Sequence, residues 1–164
     1  MAEFANQYSF VIFSCVAIIG IAMLLRMRRV DKRLSLATMV ILFAFLGTLN
    51  LALRTGGSDV HSLEEAEAVL NNQTPTLIQF FSNYCAGCMA ERPEFDMLIR
   101  KIQELYPNQY NILRIDIHTA YGQVLRERYG FSFSPEYILL TGDGEEIWRG
   151  HSRPSLELIA QAAA

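Results

Sequence analysis

Residues 76–95 read TLIQFFSNYCAGCMAERPEF, and this stretch decides the fold. A short apolar run, Leu77 to Phe81, has the length and composition of a buried strand. Ser82 to Tyr84 make a turn. Cys85 and Cys88 follow, two residues apart, at the start of a long helical pattern. A helix N-terminus carries unpaired N–H groups and the positive end of the helix dipole, so it favours an anion. Cys85 as thiolate supplies that anion, and thiolate is both the nucleophile and the leaving group in disulfide exchange. One helical turn brings Cys88 close enough to close a small ring with Cys85. The pair can pass between dithiol and disulfide without disturbing the fold. A static disulfide or half of a metal site would use the same two residues.

Outward from this stretch, the pattern is that of one α/β domain. Phe95, Leu98, Ile99, Ile102 and Leu105 keep helical spacing, so the helix after Cys85 runs to about Tyr106. Pro93 falls inside it and should bend it. Pro107-Asn108 ends it. Tyr110 to Ile117 reads as a strand, with Leu113, Ile115 and Ile117 on one face and Ile112 on the other. A helix is expected from Ala120 to Tyr129, stopped by Gly130. Glu136 to Leu140 and Glu145 to Arg149 flank Gly142-Asp-Gly144, which reads as a hairpin. Pro154-Ser155 opens a last helix. On the other side, Ser62-x-x-Glu65 is a capping box, and a helix runs from Leu63 to about Asn71. The order α, β, α, β, α, β, β, α gives a mixed four-stranded sheet flanked by helices.

The first 53 residues are of a different kind. Tyr8 to Leu25 is an uncharged run of 18 mostly apolar residues, and Leu34 to Leu53 is a second run of 20. Each is long enough to cross a hydrocarbon core of about 30 Å as a helix, and neither shows a polar face. The first run lacks the basic leader and small-residue cleavage site of a signal peptide. Between the runs, Arg26 to Arg33 carries five positive side chains and one negative. The segment before Tyr8 carries only Glu3. That asymmetry places the connecting loop in the cytoplasm and both chain ends on the opposite, extracytoplasmic side. Gly20, Gly47 and the Ala44-x-x-x-Thr48 pair are candidates for close helix approach, and Cys15 is expected to be a small packing residue. The domain reading is therefore a two-helix membrane anchor over 1–53, a flexible linker over 54–60, and the α/β domain over 61–164.

Composition limits the partners. The chain has 164 residues, 51% hydrophobic, with a formal net charge of −3. Outside residues 26–33 there is no basic run, so nucleic acid is not an expected partner. Three cysteines do not make a disulfide scaffold. A structural metal site would need two more ligands, and His61, His118 and His151 are scattered, so no metal and no cofactor is expected. These histidines are expected on the surface. Phe131 and Phe133 are expected in or near the core, and Glu91 and Arg92 on a solvated helix face.

Three motifs, in order, resemble the thioredoxin family over about residues 60–161. They are the strand leading into Tyr84-Cys-Ala-Gly-Cys88, then Pro93, then Tyr129-Gly-Phe-Ser-Phe-Ser-Pro135 ahead of the hairpin. Gly144 and Gly150 also match family glycines. The resemblance implies a cis bond at Ser134-Pro135, with Pro135 beside the cysteines. It implies that Tyr84, Ser134 and Pro135 bind substrate, with the backbone of Ser134 pairing with an extended chain. It also implies catalysis by Cys85 and Cys88 on protein thiols or disulfides. Two departures bear on this. Tyr84 stands where the family usually has tryptophan. Gln79 stands where the family often has a buried acid that takes the proton of the second cysteine, so Cys88 must lose its proton to water, to a neighbour such as Glu91, or to the substrate thiolate.

Together these residues lead to the expectation of a membrane-anchored thiol–disulfide oxidoreductase facing away from the cytoplasm, either reductase or oxidase. Its partners would be protein thiol or disulfide substrates, the lipid bilayer, and a membrane thiol carrier or membrane complex, because two spans holding one cysteine cannot relay electrons by dithiol exchange. Reduction of haem-attachment cysteines is one family role that suits this topology. An alternative is an accessory subunit of a larger membrane complex that uses the domain for docking. A soft-metal chaperone using Cys85 and Cys88 is a third reading, without methionine- or histidine-rich ligand runs to support it.

Overall fold

The computed structural model describes residues 2–162. Seven helices and four strands follow in the order α1 (Ala2–Gln7), α2 (Ser9–Met27), α3 (Lys32–Leu53), α4 (Leu63–Leu70), β1 (Thr76–Phe81), α5 (Ala86–Leu105), β2 (Asn111–Asp116), α6 (Ala120–Arg128), β3 (Glu136–Leu140), β4 (Glu146–Gly150) and α7 (Leu156–Gln161). The strands form one sheet in the order β2-β1-β3-β4. β1 runs parallel to β2 and antiparallel to β3, and β3 is antiparallel to β4. This is the expected mixed four-stranded sheet flanked by helices.

The strand period of two divides the core between the sheet faces. Ile78 and Phe80 of β1 point one way, joining Leu113, Ile115, Ile117, Ile138 and Leu125. Leu77 points the other way, with Phe95, Leu98 and Ile102 of α5 and Ile159 of α7. Phe80 and Phe95 are 0% and 1% exposed, so each contributes about 2–3 kcal/mol of apolar burial. β1 is covered on both faces and paired on both edges, which is why its sequence is apolar without alternation.

Local signals set the ends of the helices. Ser62 Oγ accepts the Glu65 N–H at 3.1 Å, and the Glu65 carboxylate takes the N–H of His61 at 2.7 Å. Gly130 has φ +62°, the left-handed geometry that ends α6. Pro154 lies before the cap of α7, which is Ser155.

The N-terminal part departs from expectation in four ways. A short helix, α1, precedes the first apolar run. The stretch 54–60, expected as a flexible link, is pinned to the domain. Asp59 pairs with the Arg114 guanidinium at 3.0 Å, Ser58 Oγ accepts the Asp116 N–H at 2.8 Å, and Val60 is 5% exposed in the core. Gly20 and Gly47 have no other element close enough to meet a side chain there, so they do not bring helices together. Cys15 is exposed rather than packed, and lines a cavity of about 210 Å³ between α2 and α3. α2 and α3 are long and apolar enough to cross a membrane. Large side chains on both face outward, Phe13 and Phe43 among them.

Gly122 in the first turn of α6 tests the packing. A Cβ there would lie 2.1 Å from the Asp116 carbonyl oxygen and 2.7 Å from Thr119 Oγ1. Alanine would gain about 1 kcal/mol of helix propensity, but the backbone clash costs more. Gly122→Ala should lower the unfolding free energy by about 1–3 kcal/mol, read as a lower urea midpoint of the full chain in detergent at unchanged slope.

Candidate active site

β1 delivers the chain to a turn at its C-terminal end, and α5 starts from that turn. Cys85 is the N-cap of α5, and its sulfur accepts the Cys88 N–H at 3.3 Å. A sulfur thus fills the role that a serine or aspartate oxygen usually plays at a helix start. Cys85 and Cys88 are both free thiols, 1% and 0% exposed.

Their environments push the two thiols apart. Cys85 is lowered from 9.0 to about 6, first by the hydrogen bond with the Cys88 side chain, against burial, and further by Ser134 and the N–H groups of Cys88 and Gly87. Cys88 is pushed up, first by burial and then by the neighbouring Cys85. One sulfur is held ready as thiolate while the other keeps its proton.

The loop before β3 closes the site from the side. The Ser134-Pro135 bond is cis, as the resemblance implied. The Cys85 thiol lies 3.5 Å from the Ser134 carbonyl oxygen. A Cβ on Gly87 would lie 3.6 Å from Pro135 Cδ and 3.7 Å from Cys85 Sγ, which fixes proline, glycine and sulfur as neighbours. Ser134 and Pro135 are both buried. Tyr84 is half-buried, and the ring of Tyr8 stacks on it at 5.6 Å between centroids.

Beneath the pair, Gln79 Nε2 donates to the Tyr137 hydroxyl at 3.1 Å, and that hydroxyl donates to Glu91 Oε2 at 3.3 Å. Burial, then the Glu91 charge, pushes the Tyr137 phenol up. Glu91 therefore belongs to a buried polar chain rather than a purely solvated face. Gln79 Oε1 is buried without a hydrogen-bond partner. Arg92, also half-buried, donates to the Arg54 carbonyl.

Other residues differ from expectation. His118 is not an ordinary surface residue. Its Nε2 lies 2.9 Å from Ser82 Oγ, its Nδ1 lies 3.4 Å from the Tyr8 hydroxyl, and the Tyr84 ring meets it edge-on. Phe131 packs on the core, but Phe133 is 43% exposed and stacks on His151 at 3.5 Å. His151 also lies near the buried Glu136 carboxylate. Among the described residues, no group of three or more His, Cys, Asp or Glu side chains could hold a metal ion.

The sequence reading missed the part played by residues 6–10. Asn6 bonds to Ser134, Gln7 to Ser82, Ser9 to Ala86 and Phe10 to Tyr84. The only signal was a polar run, Asn6-Gln-Tyr-Ser9, at the head of an apolar helix.

A family model described as Thioredoxin matches residues 59–163, and the chain belongs to the thioredoxin family. The thioredoxin-like protein HCF164, chloroplastic, of Arabidopsis thaliana is 22% identical over 80 residues, covering 49% of this chain and 29% of that protein. The matched region thus spans less than a third of that curated relative. Thioredoxin O2 from Arabidopsis thaliana in its oxidised state has a TM-score of 0.50 at 16% identity, covering 62% of this chain and 87% of that one. A yeast structure describing the thiol-resolving mechanism of mitochondrial 1-Cys peroxiredoxin via glutathione/thioredoxin systems also has a TM-score of 0.50, at 15% identity, covering 66% of this chain and 95% of that one. At these identities the likeness is one of fold.

The thiol environments predict a pH profile. A lowered pKa leaves Cys85 as thiolate above it and protonates it below. Alkylation of Cys85 by iodoacetamide, followed by mass spectrometry, should titrate near about 6 rather than 9.0, and fall about tenfold per pH unit below the midpoint. Cys88→Ala removes the largest lowering contact, so it should move the midpoint upward.

Proposed function

We propose that this protein is a membrane-anchored thiol–disulfide oxidoreductase acting on protein substrates on the extracytoplasmic side. The observation that carries the chemistry is the Cys85 sulfur capping α5 with its pKa lowered to about 6, beside a protonated Cys88 and the Ser134-Pro135 loop. Cys85 and Cys88 are the catalytic residues of this reading, and Tyr84, Ser134 and Pro135 bind substrate.

In the reducing direction, Cys85 thiolate attacks one sulfur of a substrate disulfide. That bond breaks, the departing sulfur leaves as thiolate with the electron pair, and a mixed disulfide forms. Cys88 gives up its proton and attacks the Cys85 sulfur, releasing the second substrate thiolate. Two electrons pass from the pair to the substrate; one product thiol carries the Cys88 proton and the other takes its proton from solvent. Gln79 cannot ionise. The departing thiolate is a base formed at the site when Cys88 must lose its proton, so it takes over the role of a fixed acid. The reverse sequence oxidises a substrate dithiol.

Two features support the membrane reading. α2 and α3 expose their large apolar side chains all along their length. The α/β domain docks at the end of this helical hairpin opposite the basic loop 26–33, through Phe10 to Tyr84 and Asn50 to Asn83. With that loop cytoplasmic, the cysteine pair lies on the other side.

Cys85→Ala should reduce exchange with a peptide disulfide to the uncatalysed background. Cys88→Ala should accumulate the mixed disulfide on a non-reducing gel. Unchanged exchange in Cys85→Ala refutes the mechanism. In intact cells, an impermeant maleimide should label an Asp143→Cys variant, since that residue is exposed in the β3–β4 turn. Labelling only after lysis refutes the orientation.

A further inference from the structure

Cys85 is 1% exposed, although a substrate sulfur has to reach it. Three residues beside it, Tyr84, Ala86 and Ser134, are held by the N-terminal segment. Phe10 N–H donates to the Tyr84 carbonyl at 3.0 Å, and Ser9 Oγ accepts the Ala86 N–H at 3.0 Å. The contacts to Ser134 are closer still. The Ser134 N–H donates to Asn6 Oδ1 at 2.8 Å, and Asn6 Nδ2 donates to the Ser134 carbonyl at 2.9 Å. The Ser134 hydroxyl is 3.0 Å from the same Oδ1.

A side-chain carboxamide offers one acceptor and N–H donors in a plane, as a peptide group does. Asn6 therefore satisfies the Ser134 backbone in the way a neighbouring strand would. Ser134 lies just ahead of β3, which begins at Glu136, so the sheet leaves these two groups free for another partner. They lie beside the Cys85 sulfur, 3.5 Å from the Ser134 carbonyl. An extended polypeptide that presents a sulfur to Cys85 must run past Ser134, and strand addition along this edge is its natural mode of binding. Asn6 and such a chain cannot occupy the edge together.

We propose that residues 3–9 form an intramolecular lid that competes with extended polypeptide substrates for the Ser134 edge and shields Cys85. This rests on the reading of Cys85 as the attacking sulfur. The lid is anchored beyond Asn6 by the Tyr8 ring on Tyr84 and by Glu3 against Arg126 at 3.6 Å. Its contacts at Ser134 are neutral hydrogen bonds, each of modest net strength, so a substrate chain making the same bonds displaces it. While the lid is closed, apparent affinity falls by the open fraction.

The test uses the full chain in detergent. A fluorescein-labelled extended peptide with serine in place of its reactive cysteine measures binding without chemistry. Its matching disulfide, and hydroxyethyl disulfide as a small substrate, measure exchange. Asn6→Ala should tighten peptide binding about fivefold or more, roughly the weight of one ordinary hydrogen bond. The same variant should raise kcat/KM for the peptide disulfide by a similar factor, and by less for hydroxyethyl disulfide. Tyr8→Ala loosens the same segment without touching Ser134 and should move both readouts in the same direction. Peptide binding unchanged or weakened in both variants overturns the lid. Tighter binding with no exchange in any variant leaves the lid standing and refutes the thiol chemistry instead.

Discussion

Ser82 is 0% exposed at the point where β1 gives way to α5, and its polar atoms must be satisfied without bulk water. The solution organises the site. Its carbonyl accepts the Cys85 N–H at 3.2 Å, which sets the turn before the first sulfur. Its hydroxyl donates to the Gln7 carbonyl at 2.9 Å, accepts the Tyr84 N–H at 3.1 Å, and meets His118 at 2.9 Å. One small side chain thereby ties the sheet, the active helix, the loop after β2 and the N-terminal segment together. An apolar residue of similar size at this position would leave the Tyr84 N–H and the Gln7 carbonyl without that partner.

The same turn explains how two chemically identical thiols diverge. Cys85 stands where the helix N–H groups converge, and Cys88 one turn on, inside the fold. The first position stabilises a negative sulfur and the second penalises it. Each thiol also adjusts the other, since the hydrogen bond that lowers Cys85 raises Cys88. The asymmetry draws on no charge from outside the pair, which fits a site whose buried side chain at position 79 is an amide.

The α/β domain was legible because its elements advertise themselves locally. The capping box at Ser62, the alternation through Leu113, Ile115 and Ile117, and the glycines of the hairpin turn act over a few residues. The cysteine spacing placed Cys85 at a helix start, and the family likeness placed Pro135 near it. What escaped was tertiary. The docking of Asn6 and Ser9 depends on a surface that exists only once the domain has folded. Asp59 reads as part of a polar link until the Arg114 guanidinium of β2 is brought to it. His118 lies after β2 with no sequence neighbour to mark it, and its partners Tyr8 and Ser82 are far away along the chain.

The tie between Asp59 and Arg114 has a bearing on where the protein can work. α3 ends at Leu53 and Val60 already lies in the core, so only six residues separate the two. Ser58 and Asp59 are fastened to β2 and Gly56 to Asn83, so the link is not paid out as slack. With α2 and α3 in a bilayer, the domain rides on a short leash close to the lipid surface. On the membrane-anchored reading proposed above, its search for partners would be largely two-dimensional, by lateral drift, and would favour proteins that share the same membrane.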